Sequence, residues 1–139
     1  MLNFDLVSDE KTLMAASDAG IPIVARVTSE MLGHIPVCLS AHCSLSELNG
    51  TIDSDGGHRP AWIDELYEIE DKQDVKCILL IEDFNTLKLE DQCKFTEIVK
   101  YKKSTVYDLP QNCHIILSWN SQDRITLAEN IAAYVAWLP

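Results

Sequence analysis

CILLIEDFN (77–85), together with HIILSWN (114–120) further along the chain, decides the fold. Each is a short apolar run followed by polar residues, which is typical of a parallel strand buried on both of its faces. Residues 88–103 between them have the apolar spacing of a helix. Strand, helix and strand in this order predict a βαβ unit whose two strands are parallel.

The candidate site lies where these two strands end. In open α/β sheets, ligands bind beyond the carboxyl ends of the strands. Glu82, Asp83 and Asn85 follow the first strand, and Asn120 ends the second, so we expect these polar side chains to gather at one edge of the sheet. Because neighbouring residues of a strand face opposite sides, Glu82 and Asp83 are not expected to point the same way, which weighs against a metal site.

The rest of the chain alternates strands with helices. Further strands are predicted at 21–27, 35–41 and 134–138, and further helices at 9–19, 44–48, 60–69 and 126–132, with a loop at 49–59. This alternation predicts a single α/β domain over residues 1–139, in which helices cover both faces of a mainly parallel five-stranded sheet as a three-layer sandwich.

The charge balance excludes several classes of partner. The chain has 11 Lys and Arg against 22 Asp and Glu, a formal net charge of −11. Such a surface repels DNA, RNA and anionic lipid, which are bound chiefly through basic side chains. No window approaches roughly 18 uninterrupted apolar residues, so no membrane span is expected. Residues 1–5 lack the basic region of a secretion signal.

The five cysteines indicate a reducing, cytoplasmic setting, because their number is odd and no CxxC spacing occurs. Cys38, Cys77 and Cys113 fall in predicted strands, where a free thiol is expected to behave as a small buried hydrophobe. The adjacent His/Cys pairs at 42–43 and 113–114 lack the spacing of zinc ligands, so no metal is expected there. A nucleophile made from the cysteine of the first pair and a distant histidine stays open.

Several segments carry a family resemblance through their order and spacing. They are SELNG (46–50), RPAW (59–62), LLIEDFN (79–85), Leu109-Pro110 and IILSWN (115–120). Together they resemble the core of MoxR-like AAA+ ATPases, from about residue 19 to residue 139. The resemblance implies that Glu82 and Asp83 occupy the Walker B positions and Asn120 the sensor-1 position. It also places Gln92 where the family's next helix often carries a glutamine.

The catalytic apparatus of that family is missing or altered. The predicted first strand is followed by TSEMLGH (28–34), and no GxxxxGK[ST] phosphate loop occurs anywhere in the chain. The Walker B acids are reversed, with Glu82 before Asp83, and residues 132–134 before the last strand are Ala-Ala-Tyr where the family has an arginine. The resemblance therefore implies a degenerate, non-catalytic core that uses no cofactor.

The first crossover is also altered. The family's strand order, 5-1-4-3-2, separates the first two strands by about 14 Å, and the return along a strand brings the path to about 24 Å. Residues 28–34 span about 25 Å when extended but about 10 Å as a helix, so a packed crossover helix is not expected. Residues 35–41 then pair elsewhere, or residues 2–7 form the true first strand, or the segment is exchanged with a second chain.

These observations predict a pseudo-ATPase rather than an enzyme: a non-catalytic AAA+-like module for interaction or scaffolding. We expect no helical lid of the family's kind after the last predicted strand, and the short crossover is expected to leave apolar surface uncovered near residues 21–41. We therefore expect a homodimer with 21–41 at or near the contact, or docking on a protein partner. The alternative is a small metal-dependent enzyme that binds phosphate or nucleotide through Glu82, Asp83 and Asn120.

Overall fold

The computed structural model describes residues 21–32, 36–72, 77–119 and 126–138. Its strands are β1 (Ile23–Ala25), β2 (Val37–Ser40), β3 (Thr51–Asp53), β4 (Gly56–His58), β5 (Ile78–Glu82), β6 (Lys103–Ser104), β7 (Tyr107–Asp108), β8 (His114–Ser118) and β9 (Ala136–Leu138). Its α-helices are α1 (Leu45–Asn49), α2 (Ala61–Glu70), α3 (Thr96–Tyr101) and α4 (Glu129–Ala132). Short 3₁₀ segments occupy Ser29–Met31, Phe84–Thr86 and Asp91–Phe95.

Five of these strands form one sheet in the order β2-β5-β8-β1-β9. Every pairing between neighbours is parallel. The predicted α/β fold with a parallel sheet is confirmed. Counted along the chain, the five strands lie in the order second, third, fourth, first and fifth, so the strand predicted at 21–27 is internal to the sheet and the one predicted at 35–41 is at its edge.

The pairing of β2 contradicts the first of the three expected alternatives, in which residues 35–41 pair elsewhere. β2 pairs in parallel with β5, with Val37 opposite Leu79, and β1 fills the place between β8 and β9. Both strands are shorter than predicted, so residues 26–36 are free to make the link and span up to about 36 Å when extended. In the described part of this link the regular structure is a single 3₁₀ turn, Ser29–Met31. Residues 2–7 lie outside the described residues.

The sheet is buried on both faces. One face contributes Val24, Leu39, Leu79, Ile81, Ile115 and Leu117 to a core that also contains Leu48, Leu66, Ile98 and Ile131, one residue from each described helix. The other face contributes Ile23, Ala25, Ile78, Leu80 and Ile116, against which Leu32 packs. The described helices thus lie on one face, and the helix predicted at 9–19 falls outside the described residues.

Two local predictions were wrong. The segment 49–59, predicted as loop, contains the hairpin β3–β4, whose turn is closed by the Asp55 N–H donating to Asp53 Oδ1 at 2.8 Å and by Gly56 at φ 115°. The helix predicted at 88–103 is a 3₁₀ segment followed by the six residues of α3. It ends at Lys102, whose left-handed backbone (φ 52°) turns the chain into the hairpin β6–β7.

The cysteine predictions hold for two of the three strand positions. Cys77 and Cys113 are buried immediately before β5 and β8. Cys38 is exposed. β2 is an edge strand, and Cys38 faces the opposite side of it from the buried residues Val37 and Leu39.

The uncovered apolar surface expected near 21–41 is small. Among the described residues of that range, Ile21 is the large apolar side chain that is exposed, at 43%. Val24, Val27, Leu32 and Leu39 are buried. None of the described helices is long and apolar enough to cross a membrane.

Candidate functional site

A cavity of about 240 Å³ opens at the carboxyl edge of the sheet. It lies beyond the ends of β5, β8 and β1, which are neighbours in the sheet, so the segments that follow these strands converge on it. The residues that line it are Val27, Thr28, Ser29, Glu30, Glu82, Asp83, Ser118 and Trp119. This is the place where parallel α/β sheets usually bind ligands.

Glu82 is the last residue of β5 and is partly buried. Its carbonyl accepts a hydrogen bond from the Ala41 N–H at 2.8 Å, which holds the end of β2 against β5. Its carboxylate also acts on the pKa of the Cys38 thiol, by its charge and as a hydrogen-bond acceptor. Although part of Cys38 is exposed, partial burial of its thiol, followed by the charge of Glu82 and a hydrogen bond to it, raises the pKa of Cys38 to about 11. Cys38 is therefore a protonated donor to Glu82 at neutral pH.

Asp83 leaves the strand in a left-handed conformation, with φ 61° and ψ 31°. Aspartate tolerates this region better than most residues with a Cβ. The Asp83 carbonyl accepts from the Thr86 N–H at 3.2 Å and from Thr86 Oγ1 at 2.8 Å, which closes the turn Phe84–Thr86. The alternation that was expected to separate Glu82 from Asp83 does not apply past the end of the strand, and both residues line the cavity.

Ser118 and Trp119 form the wall of the cavity that follows β8. Ser118 is buried, and its hydroxyl donates to the Ile81 carbonyl at 3.3 Å, a contact between neighbouring strands. The Trp119 indole N–H is buried and makes no hydrogen bond within the part of the chain that the structure describes. Such a donor is a fixed polar group that a bound acceptor could satisfy.

The segment after β1 supplies the remaining wall. Thr28 precedes the 3₁₀ turn Ser29–Met31 with extended backbone (φ −113°, ψ 163°), and Glu30 lies in the first turn. Residues 26–32 contain neither glycine nor lysine. A phosphate loop needs glycines so that consecutive N–H groups can surround the anion, and a lysine to neutralise it.

The electrostatic character of the cavity follows from this lining. Glu30, Glu82 and Asp83 bring three carboxylates, and Thr28, Ser29 and Ser118 bring hydroxyls. The described lining contains no lysine, arginine or histidine. Such a site opposes the binding of a phosphate through like-charge repulsion.

None of the other predicted site residues is part of the described lining of the cavity. Asn120 lies outside the described residues. Asn85 lies in the turn Phe84–Thr86 and is half-buried, but it is not part of the cavity's described lining. Gln92 is fully buried away from the cavity: its Nε2 donates to the Thr126 carbonyl, and its Oε1 accepts from the Ala128 N–H, each at 2.8 Å. It joins the segment before α3 to the segment before α4.

Sequence reasoning missed the wall made by residues 27–30 and by Ser118 and Trp119. Residues 27–30 become neighbours of Glu82 because β1 lies two strands from β5, a position that the family resemblance implied but that the residues alone do not reveal. A signal was nevertheless present. Thr28 and Ser29 directly follow the predicted strand 21–27, and Ser118 follows the apolar residues 115–117, so small hydroxyl-bearing residues come after both apolar runs.

The thiol and histidine candidates lie elsewhere. His42 donates its backbone N–H to Ser40 Oγ at 3.1 Å, and its ring is hydrogen-bonded to Thr86 Oγ1. Cys43 is buried, and burial raises its pKa, so its thiol is not activated as a nucleophile. No group of three or more His, Cys, Asp or Glu side chains within the described ranges is arranged to hold a metal ion.

Comparisons with known proteins leave the family open. No model of a known protein family matches the chain, and a search of curated proteins finds no match.

Proposed function

We propose that this chain is a non-catalytic interaction or scaffold module with an AAA+-like core, a pseudo-ATPase that binds a protein partner or a second copy of itself. Two features support the proposal. The parallel sheet has the strand order 5-1-4-3-2 that the sequence resemblance implies. Among the described residues that line it, the carboxyl edge of that sheet has no lysine, arginine or glycine-rich loop of the kind that phosphate chemistry requires.

The chemistry of the edge cavity carries the proposal. Phosphoryl transfer depends on cations and N–H donors placed around the phosphate oxygens. At this edge Glu30 follows the first strand, and Glu82 and Asp83 follow β5. Repulsion between these carboxylates and a triphosphate would oppose binding before any catalytic step.

A thermal-shift titration with ATP and Mg²⁺ tests the proposal. A ligand present at about 100 times its dissociation constant stabilises the folded state by about 2.7 kcal/mol. For a protein of this size that corresponds to a rise in Tm of roughly 8 °C. We expect no rise at ~5 mM ATP-Mg²⁺, whereas a rise of several degrees would contradict the pseudo-ATPase reading. Mg²⁺ alone and inorganic phosphate alone serve as matched controls.

A metal-dependent enzyme that binds phosphate or nucleotide is the second candidate. One observation favours it: Glu82 and Asp83 line the same cavity, and carboxylate oxygens are the ligands that Mg²⁺ prefers. A stabilisation by Mg²⁺ or Mn²⁺ that disappears when Glu82→Gln and Asp83→Asn are combined would favour this candidate over the scaffold.

Self-association is proposed to use the outer edge of β2. The Ala41 N–H bonds to the Glu82 carbonyl, so alternation directs the backbone groups of Val37 and Leu39 toward β5 and those of Cys38 and Ser40 away from it. The outer edge of β2 has no strand partner among the described residues. An open edge of this kind is a template for pairing with another chain.

A two-fold axis at Leu39 would pair two copies of β2 in antiparallel fashion. In that register the Ser40 N–H of each copy donates to the Cys38 carbonyl of the other, and the two residues lie opposite each other. The Ser40 carbonyl already accepts a hydrogen bond from the Cys43 N–H at 3.0 Å, so it contributes less to the pairing between the two copies.

A single substitution would allow this dimer to be trapped by a disulfide. Ser40→Cys would place the introduced thiol opposite the native Cys38 of the second copy, at a Cα separation of about 5.5 Å, which suits a disulfide. We expect a covalent dimer under mild oxidation and its loss when Cys38→Ser is added. Sedimentation of the unmodified chain as a monomer at micromolar concentration would refute the dimer.

A further inference from the structure

Cys77 and Cys113 lie side by side at the amino ends of β5 and β8. The candidate site lies at the other edge of the sheet, beyond the carboxyl ends of the strands. Each immediately precedes a strand, and the first residues of those strands, Ile78 and His114, are paired. The ladder continues back to the cysteines, because the His114 N–H donates to the Cys77 carbonyl at 2.8 Å. Cys77 is therefore opposite Cys113 on the neighbouring strand.

This register suits a bond between the two sulfur atoms. Neighbouring strands lie about 4.8 Å apart, and disulfides join residues whose Cα atoms are about 4.4–6.8 Å apart. Paired positions of neighbouring strands project to the same face, so the two side chains share one face of the sheet. The two thiols are also close enough for each to shift the pKa of the other.

The two thiols of the pair differ in their contacts and in the direction in which their pKa is shifted. Cys77 Sγ also contacts the carbonyl of Leu66 at 3.5 Å, and Cys113 Sγ that of His114 at 3.9 Å. The hydrogen bond from Cys113 lowers the pKa of Cys77, and the same contact, with burial, raises the pKa of Cys113 well above its usual range. Cys77 is thus the thiol that ionises first. Cys43, the third buried cysteine, has no such partner among the described residues.

We propose that Cys77 and Cys113 form an oxidation site, a dithiol that a peroxide closes into a cross-strand disulfide in the core. The Cys77 thiolate attacks a peroxide oxygen, so that an S–O bond forms, the O–O bond breaks and, with hydrogen peroxide, hydroxide leaves and takes up a proton. The Cys113 sulfur then attacks the Cys77 sulfenic acid; the S–S bond forms, the S–O bond breaks and water leaves. Two thiols and one hydrogen peroxide thus give one disulfide and two waters.

The disulfide would tie β5 to β8, the two central strands, across the loop from 77 to 113. A cross-link of this kind restricts the unfolded chain and raises the stability of the folded one. Oxidation would therefore make the centre of the sheet more rigid. The carboxyl-edge cavity lies at the other end of the same strands and would be left unchanged.

Peptide mapping of the folded, peroxide-treated protein decides the question. After alkylation in denaturant, trypsin releases 77–88 and 104–124, each with one cysteine. We expect these two peptides to be recovered as a disulfide-linked pair about 2 Da lighter than their sum. The number of free thiols should fall from five to three. Tm should rise by roughly 10 °C and return to its starting value on reduction.

A second variant removes the exposed thiols from the measurement. Combining Cys38→Ser with Cys93→Ser, both at exposed positions, leaves the three buried thiols, of which one should remain free after peroxide. Adding Cys113→Ala should abolish the linked pair. Recovery of 77–88 and 104–124 as separate peptides from folded, treated protein would overturn the proposal, as would a linked pair that contains Cys43.

Discussion

Replacing the buried Gln92 with methionine should destabilise the fold by about 2 kcal/mol. Methionine has a similar volume, so the change removes two hydrogen bonds and creates little cavity. The carbonyl of Thr126 belongs to an exposed residue and can turn to water, so its lost bond costs about 0.5–1.5 kcal/mol. The Ala128 N–H, half-buried at the start of α4, costs about 1–2 kcal/mol when unpaired. The greater hydrophobicity of methionine offsets part of the sum.

Urea unfolding followed by tryptophan fluorescence measures this loss, with an unchanged m value as the check on two-state behaviour. Gln92→Glu is the matched variant, since it keeps the acceptor for Ala128 but presents a carboxylate to the Thr126 carbonyl. Burial raises the folded-state pKa of the introduced carboxyl, so its deficit should be largest above that pKa and fade toward pH ~4, where both states are protonated. The deficit of Gln92→Met should not change in this way. A loss below about 0.5 kcal/mol for Gln92→Met would refute the structural role.

Three further predictions follow from burial, charge and backbone conformation. Leu80→Ala and Ile116→Ala, both fully buried at paired positions, should each cost about 2–5 kcal/mol, and equal urea midpoints for variant and parent would contradict the sheet assignment. Alkylation of Cys38 should be slow at pH 8 and accelerate toward its pKa of about 11; Glu82→Gln should speed it at pH 8, and an unchanged rate would separate the two residues. Asp83→Asn should change stability by less than about 0.5 kcal/mol, whereas Asp83→Val should cost about 1–3 kcal/mol because its branched side chain opposes φ 61°; similar unfolding midpoints would exclude strain there.

The central strands could be predicted from the sequence because burial alone determines them. Residues 114–118 of the apolar run form β8, and 78–82 form β5, within one residue or so of the predicted limits. A strand covered on both faces has little freedom in sequence, so it reads as a continuous apolar run. The order of the strands could not be predicted in the same way, because pairing joins segments far apart in the chain.

Errors arose where local backbone geometry overrides composition. The polar segment 49–59 reads as loop, but the Asp53 side chain and the left-handed Gly56 close it into a hairpin. The apolar spacing of 88–103 persists through a 3₁₀ segment, so periodicity overstates the length of α3. Cys38 was misplaced because a β-branched run does not reveal that its strand is at the edge.

About half of the candidate site was accessible to sequence reasoning. Glu82 and Asp83 follow an obvious strand, and their position at its carboxyl end could be predicted from the βαβ pattern. Glu30 and Trp119 lie near them because of the order β5-β8-β1, which the family resemblance implied but which the residues alone do not reveal. For Gln92 the error went the other way. The family resemblance suggested a site residue, whereas its two hydrogen bonds show that it joins two segments of the fold.

The backbone carbonyls at the carboxyl end of β5 are paired within the protein. The Ala41 N–H holds the Glu82 carbonyl, the Ser118 hydroxyl holds the Ile81 carbonyl, and the Thr86 side chain holds the Asp83 carbonyl. Each contact satisfies a backbone group at the end of β5, at the place where a nucleotide-binding sheet would direct its loops toward phosphate. The ends of the strands therefore need no anion to order them. A sheet arranged in this way is ordered by its own contacts, while its described carboxyl edge presents the carboxylates of Glu30, Glu82 and Asp83.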